Sequence, residues 1–206
     1  MAGKHSTRAI VRGQLMDVLT LAGVLDADQC RRIRAAMAAG ACEPAQTLND
    51  REHALGQADE DGRRAIDVDV SDDVIAFVES CLDAQRAAIA AFFDATLSGR
   101  EGVGFLRYDA GGFYGPHVDC ADMLTWPDAA RRAITIVLFL NSSRDADASG
   151  DFSGGWLRLF PNGMTEPHVD IIPTAGMLAA FPSCTPHEVT RVTDGRRDAV
   201  VDWFYG

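Results

Sequence analysis

Two histidines and one aspartate have the residue types and the spacing to bind a metal ion. His117 and Asp119 occur as His-Val-Asp at the end of the stretch 105–119 (FLRYDAGGFYGPHVD), and His187 follows 70 residues after His117. On an extended strand, residues i and i+2 point to the same face, so His117 and Asp119 would lie side by side. Two imidazoles and one carboxylate leave three positions of a six-coordinate ion open, which favours Fe(II) that must also bind a co-substrate and O2. The sequence therefore predicts an iron site at these three residues.

A second copy of the same tetrapeptide competes for this role. Pro-His-Val-Asp occurs at 116–119 and again at 167–170. His168 of the second copy lies only 19 residues before His187, which leaves room for two strands and little else. The first copy leaves room for several strands that can bring distant ligands together, so spacing favours His117. The two other histidines, which have no ligand pattern around them, are His5 and His53.

Composition limits the class of protein. The 206-residue chain has 47% hydrophobic and 24% charged residues, values typical of a folded globular domain. We expect one domain over 1–206, with a helical N-terminal part to about residue 100 and a β-rich core from about residue 101. A formal net charge of −11 opposes binding to nucleic acid or to anionic membranes. No signal peptide is recognisable and the longest nearly apolar run, 133–140, is far too short to span a membrane, so a cytoplasmic location is predicted. The oligomeric state stays open.

The cysteines predict free thiols. Their number is odd, their spacing is irregular and no Cys-x-x-Cys pair occurs, which favours neither a disulfide framework nor a thiolate zinc site. A reducing compartment fits this pattern. The five residues are Cys30, Cys42, Cys81, Cys120 and Cys184.

The first half of the chain predicts helices separated by short extended segments. Residues 15–24 have the pattern of a strand and a turn, and a helix over about 27–39 would be capped by Asp26 or Asp28 and would end at Gly40. We expect loop over 41–63, where the sequence is polar and lacks periodicity.

A half-buried strand and a long helix are expected next. Apolar and acidic residues alternate over 64–70, as in a strand with one buried face. Ser71 then precedes an amphipathic pattern that continues to Gly99, which predicts one long helix capped by the serine.

The second half is rich in short strands. Gly, Pro, Asp and Asn divide eight β-type segments, which predicts a sandwich or jelly roll with the helices packed on one sheet, an α+β arrangement. The Ser-, Asp- and Gly-rich segment 141–155 predicts a mobile surface loop that can act as a lid. The predicted strands are 103–109, 115–119, 133–140, 155–160, 168–172, 176–181, 187–192 and 198–205.

An arginine near the end of the chain follows the predicted ligand His187 at a spacing that could bring it to the metal site. Arg197 follows His187 by ten residues. A strand, a glycine-containing turn and a returning strand would set its guanidinium beside the metal. A buried arginine needs an anionic partner, which a dicarboxylate co-substrate can supply.

Five motifs follow one another in the β-rich half: R-Y-x-x-G-x-F-Y-x-x-H-x-D (107–119), R-x-x-T-x-x-x-F-L-N (132–141), G-G-x-L-x-L-F (154–160), P-x-x-G-x-L-x-x-F-P-S (173–183) and H-E-V-x-x-V-x-x-G-x-R-x-x-x-x-x-W (187–203). In order and spacing, over roughly 103–205, the chain resembles the Fe(II)- and 2-oxoglutarate-dependent dioxygenases of the prolyl 4-hydroxylase-like group.

This resemblance implies a fold and a set of cofactors. The fold would be a double-stranded β-helix, a jelly-roll barrel open at one end and buttressed by N-terminal helices. The site would use Fe(II), 2-oxoglutarate as co-substrate and O2, with ascorbate as an optional reductant. The metal ligands of the family correspond to His117, Asp119 and His187.

The resemblance also implies a co-substrate pocket. Arg197 corresponds to the arginine that binds the distal carboxylate of 2-oxoglutarate, whereas the adjacent Arg196 would point to the other face of the strand. Tyr108 corresponds to a tyrosine that lines this pocket. Phe139 departs from the family, because several relatives carry a tyrosine there that also hydrogen-bonds the co-substrate. Thr135 and Tyr108 are the candidates to replace that donor.

The implied activity is hydroxylation of an unactivated C–H bond in a free, peptidyl or carrier-tethered amino acid, prolyl residues included, with release of succinate and CO2. Asp119 favours hydroxylation, because halogenating relatives lack this carboxylate. Desaturation or cyclisation at the same centre stays open, as does a non-catalytic jelly-roll module that binds a metal or a sugar. That module would leave Arg197 unexplained. Apolar candidates for lining the substrate pocket are Leu106, Phe113, Tyr114, Met123, Leu124 and Trp126, and charged candidates are Asp122 and Arg158.

Overall fold

The structure is a computed structural model that describes residues 8–11, 14–45, 47–49, 54–57, 62–121, 126–161, 163–164 and 167–206, with only the backbone described for 8–11, 14–17, 47–49 and 54–57. Most of its regular structure is β-sheet. The helices are α1 (Ala27–Ala39), α2 (Asp72–Asp83), α3 (Arg86–Phe93) and α4 (Pro127–Arg131). The strands are β1 (Arg8–Val11), β2 (Gln14–Asp17), β3 (Leu19–Leu21), β4 (Cys42–Pro44), β5 (Thr47–Asn49), β6 (Ala54–Gln57), β7 (Arg63–Arg64), β8 (Ile66–Val68), β9 (Gly99–Arg100), β10 (Gly104–Asp109), β11 (Phe113–His117), β12 (Arg132–Phe139), β13 (Phe152–Gly154), β14 (Leu157–Leu159), β15 (Val169–Ile171), β16 (Leu178–Pro182), β17 (His187–Val189) and β18 (Val192–Tyr205).

Two antiparallel sheets form the β-rich half of the molecule. The larger sheet has nine strands in the order β3-β16-β12-β18-β10-β8-β4, and β9 and β13 also pair with β18. The smaller sheet has five strands in the order β15-β14-β17-β11-β7. Strand β18 is the longest, with 14 residues, and it pairs with four other strands.

Strand β12 shows how the core is divided. Successive side chains of a strand point to opposite faces of its sheet. Ile136 and Leu138 therefore pack against the helices, in one core with Leu82 of α2. Val137 and Phe139 point the other way and pack between the two sheets, in a second core with Leu159 of β14 and other residues. The nine-stranded sheet thus has helices on one face and the smaller sheet on the other.

The predicted helix at 27–39 is confirmed as α1. The Asp26 carboxylate accepts a hydrogen bond from the Gln29 backbone N–H, and the Gln29 side chain accepts one from the Asp26 N–H, both at 2.8 Å. This reciprocal capping box satisfies two N–H groups that a helix end would otherwise leave unpaired. Cys30, Ile33 and Met37 form the buried stripe.

The single long helix predicted after Ser71 was wrong. The chain forms α2 and α3, separated by residues 84–85, and Ser71 stands at the N-terminal position without a capping hydrogen bond from its side chain. Asp94 ends α3 in a left-handed conformation with φ of 49°, well before Gly99. Gly99 instead begins β9, where it pairs with Tyr205. The apolar pattern did not reveal the break, because the buried residues of both helices, Val78 and Leu82 of α2 and Ile89 of α3, belong to the same core.

The loop predicted over 41–63 was also wrong. Strands β4, β5 and β6 lie within it, and β7 begins at its end. These strands are two to four residues long and carry polar residues or proline, as edge strands often do, so no alternation marks them.

The segment 141–155 is only in part the surface loop that its composition predicted, since residues 144–149 and 151 are exposed but others are not. Asn141, Ser143 and Phe152 are buried, and β13 pairs with β18. The Arg144 N–H donates to the Phe152 carbonyl at 2.7 Å and closes the segment on itself. Several of its exposed polar residues also form hydrogen bonds within the segment, such as that from the Ser149 N–H to Asp147 at 2.9 Å.

The prediction of five free thiols was wrong for one pair. Cys120 and Cys184 form a disulfide across 64 residues of sequence, whereas Cys30, Cys42 and Cys81 are free. Spacing alone could not reveal this pair, because the two residues meet only when distant strands are assembled. Among the helices of the described residues, none is long and apolar enough to cross a membrane.

Candidate metal centre

His117 and His187 are cross-strand partners on β11 and β17. The Nδ1 atom of each ring lies 2.9 Å from a backbone carbonyl oxygen two residues earlier, Gly115 for His117 and Thr185 for His187. A carbonyl can only accept, so Nδ1 carries the proton in both rings and, in the neutral imidazole, Nε2 has a free lone pair. Both rings are therefore held in the tautomer that can bind a metal through Nε2.

Asp119 completes the cluster just beyond the end of β11. Its Oδ1 lies 3.6 Å from Nε2 of His117, and its Oδ2 lies 3.4 Å from Nε2 of His187. The three side chains offer ligand atoms that all lie within 4.8 Å of one another. The Asp119 backbone N–H donates to the Ser183 carbonyl at 2.9 Å, and the Thr135 hydroxyl donates to Oδ2 at 2.8 Å. Within the described residues, this is the only cluster of its kind that could hold a metal ion.

The electrostatics of the cluster favour the ligating protonation states. Burial, and then the proximity of His187, lower the pKa of His117 to about 3, so this imidazole stays neutral at neutral pH. Burial by itself opposes ionisation of Asp119, but His187 and His117, with smaller contributions from Trp203 and Thr135, outweigh it and lower the pKa of this carboxyl. A neutral imidazole and an ionised carboxylate are the forms that bind a metal ion.

A cavity of about 510 Å³ opens over these three residues and reaches Arg197. Arg197 is only 2% exposed, and its Cζ lies 4.9 Å from the centre of the Tyr108 ring and 5.4 Å from that of Phe139. Its Nε has no hydrogen-bond partner among the described residues, and none of their carboxylates forms an ion pair with it. Burial lowers the pKa of this guanidinium. A buried cation without a counter-ion is suited to receive an anion from the cavity.

The neighbouring Arg196 points away from the cavity. Its Nε donates to Asp109 at 2.7 Å, and both side chains are half exposed. The alternation of side chains along β18 therefore gives the two adjacent arginines different surroundings.

Thr135 and Tyr108 both line the cavity, but they contact different residues there. The Thr135 hydroxyl serves Asp119 and lies 3.1 Å from Ser183 Oγ. The buried Tyr108 ring packs against the Arg197 guanidinium. Thr135 thus contacts the candidate metal ligands, whereas Tyr108 contacts Arg197.

The second Pro-His-Val-Asp copy has a different environment. His168 Nε2 lies 3.6 Å from Asp170, whose carboxylate accepts hydrogen bonds from Arg158 at 2.7 and 3.0 Å. Arg158 also donates to Glu188 at 3.4 Å. These residues do not line the cavity, and two carboxylates already neutralise Arg158.

Three of the predicted pocket residues line the cavity, namely Leu106, Tyr114 and Trp126. Phe113 does not, because its ring packs under the Arg191 guanidinium with Cζ 4.4 Å from its centre. Asp122, Met123 and Leu124 lie outside the described residues. Other lining residues escaped the sequence analysis, among them Arg63, Val118, Arg132, Leu157 and Val189.

Little in the sequence marked Arg63 and Arg132 as residues of the cavity. The Arg63 Cζ lies 4.6 Å from the Tyr114 ring centre because β7 pairs with β11, a pairing that residues predicted to be loop could not suggest. Arg132 opens a predicted motif, and its guanidinium stacks on Trp203 at 3.8 Å while it pairs with Glu101.

The cluster at the cavity could hold a metal ion, and the comparison with known families points to a class of iron-dependent enzymes. Residues 103–205 match the model of the 2OG-Fe(II) oxygenase superfamily. The chain belongs to this superfamily, and it is similar to the prolyl 4-hydroxylases within it.

Relatives by sequence are PKHD-type hydroxylases. Those from Alteromonas mediterranea and Nitrobacter winogradskyi are 35% and 36% identical over 102 residues, which are 48% of this chain and 41% of each relative. The chain thus spans less than half the length of these proteins. Among solved structures, a Pseudomonas putida prolyl-4-hydroxylase is 26% identical with a TM-score of 0.66, and the match covers 92% of both chains. A Trichoplax adhaerens prolyl hydroxylase, solved with a hypoxia inducible factor peptide fragment, shares the fold with a TM-score of 0.70 at 20% identity, over 91% of this chain and 83% of that one.

Proposed function

We propose that the protein is an Fe(II)- and 2-oxoglutarate-dependent hydroxylase that oxidises a C–H bond of an amino acid or peptidyl substrate. The observation that carries this proposal is that one cavity contains both the His117, Asp119 and His187 cluster and the unpaired buried Arg197. A metal-binding or sugar-binding module would have no use for that arginine. The net reaction would convert substrate, 2-oxoglutarate and O2 into hydroxylated substrate, succinate and CO2.

In this proposal His117, Asp119 and His187 hold Fe(II). The donor set of two neutral imidazoles and one carboxylate suits this ion and leaves coordination positions for other ligands. Bound iron would supply the redox chemistry with O2, which amino-acid side chains lack. The chain's own contribution is to fix the tautomer of both rings, through the Gly115 and Thr185 carbonyls, and to orient Asp119 through Thr135.

Arg197 would bind the distal carboxylate of 2-oxoglutarate. Its full burial strengthens the attraction to an anion, and a guanidinium can hold a carboxylate by two parallel hydrogen bonds. Tyr108 and Phe139 restrict its movement by packing against it. Because Phe139 has no hydroxyl, Tyr108, whose ring packs against the arginine, is the candidate to add a second hydrogen bond to the co-substrate.

We propose further that the two facing sheets form a double-stranded β-helix, and that residues 1–206 act as one catalytic domain. The helices would support the larger sheet through the core that contains Leu82 and Ile136. The likeness of fold to known prolyl hydroxylases supports this architecture.

Trp126 supports a substrate that carries a carbonyl group. Its indole N–H is buried at the cavity and has no hydrogen-bond partner among the described residues. Buried donors are normally satisfied, so a ligand acceptor is expected there. A peptide carbonyl or an amino-acid carboxylate can provide it, which agrees with the prolyl hydroxylase relatives.

The proposal is tested in two stages. Under anaerobic conditions, the wild-type protein with Fe(II) should develop a charge-transfer absorption band when 2-oxoglutarate is added. With air, 2-oxoglutarate should be converted into succinate, and amino acids and peptides should be screened by mass spectrometry for the gain of one oxygen, with and without ascorbate. Asp119→Ala should lose both signals. A wild-type protein that binds Fe(II) but neither binds nor consumes 2-oxoglutarate would contradict the proposal.

A further inference from the structure

The backbone around Arg197 lies at a gap in the nine-stranded sheet. Strand β12 pairs with β18 only as far as the Phe139–Ala199 pair, and β13 takes over at the Phe152–Gly195 pair. Between these points, no strand of the described residues pairs with this edge of β18, and one backbone hydrogen bond joins it, from the Leu140 N–H to the Asp198 carbonyl. Arg197 lies in the middle of this gap.

The side chain of Asn141 fills the gap. Its Nδ2 donates to the Arg196 carbonyl at 2.7 Å, and its Oδ1 accepts from the Asp198 N–H at 2.9 Å. These two backbone groups flank Arg197 on the same edge of the strand, where a neighbouring strand would bond both. One side-chain amide therefore takes the place of a missing strand, and it is only 2% exposed.

The other sides of Arg197 are also fixed. On the opposite edge of β18, Arg197 pairs with Tyr108 of β10. Gly155 packs against its side chain so closely that an added Cβ would lie 3.0 Å from the Arg197 Cδ. Only the edge that Asn141 bonds depends on a single side chain.

We infer that Asn141 is a positioning residue that sets the orientation of Arg197 and thereby the affinity for the distal carboxylate of the co-substrate. This inference rests on the proposed function. Asn141 does not line the cavity and does not reach the metal-site residues. Its effect should therefore be confined to ligands that use the Arg197 guanidinium.

The test compares two 2-oxo acids that differ only in the distal group. 2-Oxoglutarate carries a distal carboxylate, whereas 2-oxopentanoate has a methyl group in its place. Binding of each to the anaerobic Fe(II) protein is measured by the charge-transfer band and by calorimetry. For Asn141→Ala, the dissociation constant of 2-oxoglutarate should rise about tenfold, the equivalent of one buried hydrogen bond. The dissociation constant of 2-oxopentanoate and that of Fe(II) should stay within about twofold of wild type, since neither ligand uses the guanidinium.

Two further variants make the result specific. Asn141→Ser is neutral and too short to bond the Arg196 carbonyl and the Asp198 N–H together, so it should also weaken 2-oxoglutarate selectively and serves if the alanine variant does not fold. Ser143→Ala is the matched control, because Ser143 is a buried polar residue of the same segment whose hydroxyl bonds Asp145 and forms no hydrogen bond with β18 among the described residues. It should leave both dissociation constants unchanged.

The outcomes separate this inference from the proposed function. If wild type binds 2-oxoglutarate and the Asn141 variants bind it equally well, or lose both oxo acids to the same degree, the positioning role is wrong. If wild type itself shows no preference for 2-oxoglutarate over 2-oxopentanoate, the proposed role of Arg197 fails first.

Discussion

Thr135 donates its hydroxyl hydrogen to Oδ2 of Asp119 at 2.8 Å, across the floor of the cavity. Both side chains are largely buried, so the bond competes little with water. Asp119 lies just after the end of β11, whereas Thr135 lies within β12, an interior strand of the larger sheet. The hydrogen bond therefore connects the carboxylate of Asp119 to this interior strand.

Removing this hydroxyl should weaken metal binding. Thr135→Val keeps the branched shape and leaves the carboxylate free to rotate, and loss of such an outer partner typically costs about 10- to 100-fold in metal affinity. The measurement is anaerobic Fe(II) binding by calorimetry. Thr135→Ser retains the hydroxyl and should stay close to wild type. Equal affinities for the valine and serine variants would refute the role given to this bond.

The two Pro-His-Val-Asp copies offer a matched pair of variants. His117→Ala removes a proposed iron ligand and should abolish both Fe(II) binding and 2-oxoglutarate consumption. His168→Ala removes the same residue type from the same tetrapeptide, on a strand edge away from the cavity, and should leave both unchanged. Loss of iron binding in the His168 variant would overturn the assignment of the site.

Stability of the metal-free protein should fall in acid. The pKa of His117 is about 3 when folded, against an ordinary value of 6.5, so between these limits the unfolded chain binds a proton that the folded chain does not. The free energy of unfolding should therefore decrease as pH falls from 6.5 towards 3, by up to about 1.4 kcal/mol per pH unit from this group. The lowered pKa of Asp119 acts in the same direction below its ordinary value of 3.8.

Urea unfolding over this pH range, in the presence of a chelator, measures the effect. His117→Gln removes the titrating group, and its stability should depend less steeply on pH than that of wild type. Parallel pH profiles for the two proteins would show that His117 titrates normally.

The disulfide between Cys120 and Cys184, which lies next to the candidate metal site, should stabilise the fold. Cys120 follows Asp119, and Cys184 follows Ser183, whose carbonyl bonds the Asp119 N–H. Closing a loop of 64 residues is worth roughly 4 kcal/mol in the chain-entropy model. Cys120→Ser with Cys184→Ser should lower the free energy of unfolding by an amount of this order, and dithiothreitol should do the same to wild type.

The exposed free thiol of Cys42 provides the control. Cys42→Ser should keep wild-type stability and remain sensitive to reduction, whereas the double variant should not respond to dithiothreitol. A wild-type protein whose stability is unaffected by dithiothreitol would contradict the disulfide.

Local signals explain what the sequence could predict. Helix α1 is marked by a capping box at Asp26 and Gln29 and by a regular apolar stripe, and all of these lie within one short segment. The β-rich half is marked by turn residues between short apolar runs, and seven of its eight predicted strands agree with observed ones to within three residues. Strand β18 begins six residues before the predicted strand 198–205, and β13 lies in a segment that was predicted as loop. The structure also brings together His117, Asp119 and His187, which spacing and motif order had singled out.

Features that depend on distant contacts could not be predicted. Asn141 belongs to a polar segment, and only the end of β12 and the start of β13 show that its amide replaces a strand. The disulfide and the Arg63 contact with Tyr114 likewise arise from strand pairings between separate parts of the chain. The residues of the candidate site were therefore easier to predict from the sequence than the contacts that hold them in place.

Arg197 should be needed for the binding of 2-oxoglutarate but should not stabilise the protein when this ligand is absent. Without 2-oxoglutarate, the Arg197 guanidinium is buried without an ion pair to any described residue, and replacing such a group with an apolar side chain of similar size is often neutral or stabilising. Arg197→Met should therefore unfold at the same or a higher temperature than wild type when no ligand is present. Wild type in 2-oxoglutarate at 100 times its dissociation constant should gain about 2.7 kcal/mol, and the methionine variant should gain little at that concentration. Thermal unfolding with Fe(II) present throughout, with and without 2-oxoglutarate, measures both effects, and Arg196→Met is the control because that arginine lies at the surface with Asp109. A methionine variant that is stabilised by 2-oxoglutarate as strongly as wild type would show that the carboxylate binds elsewhere.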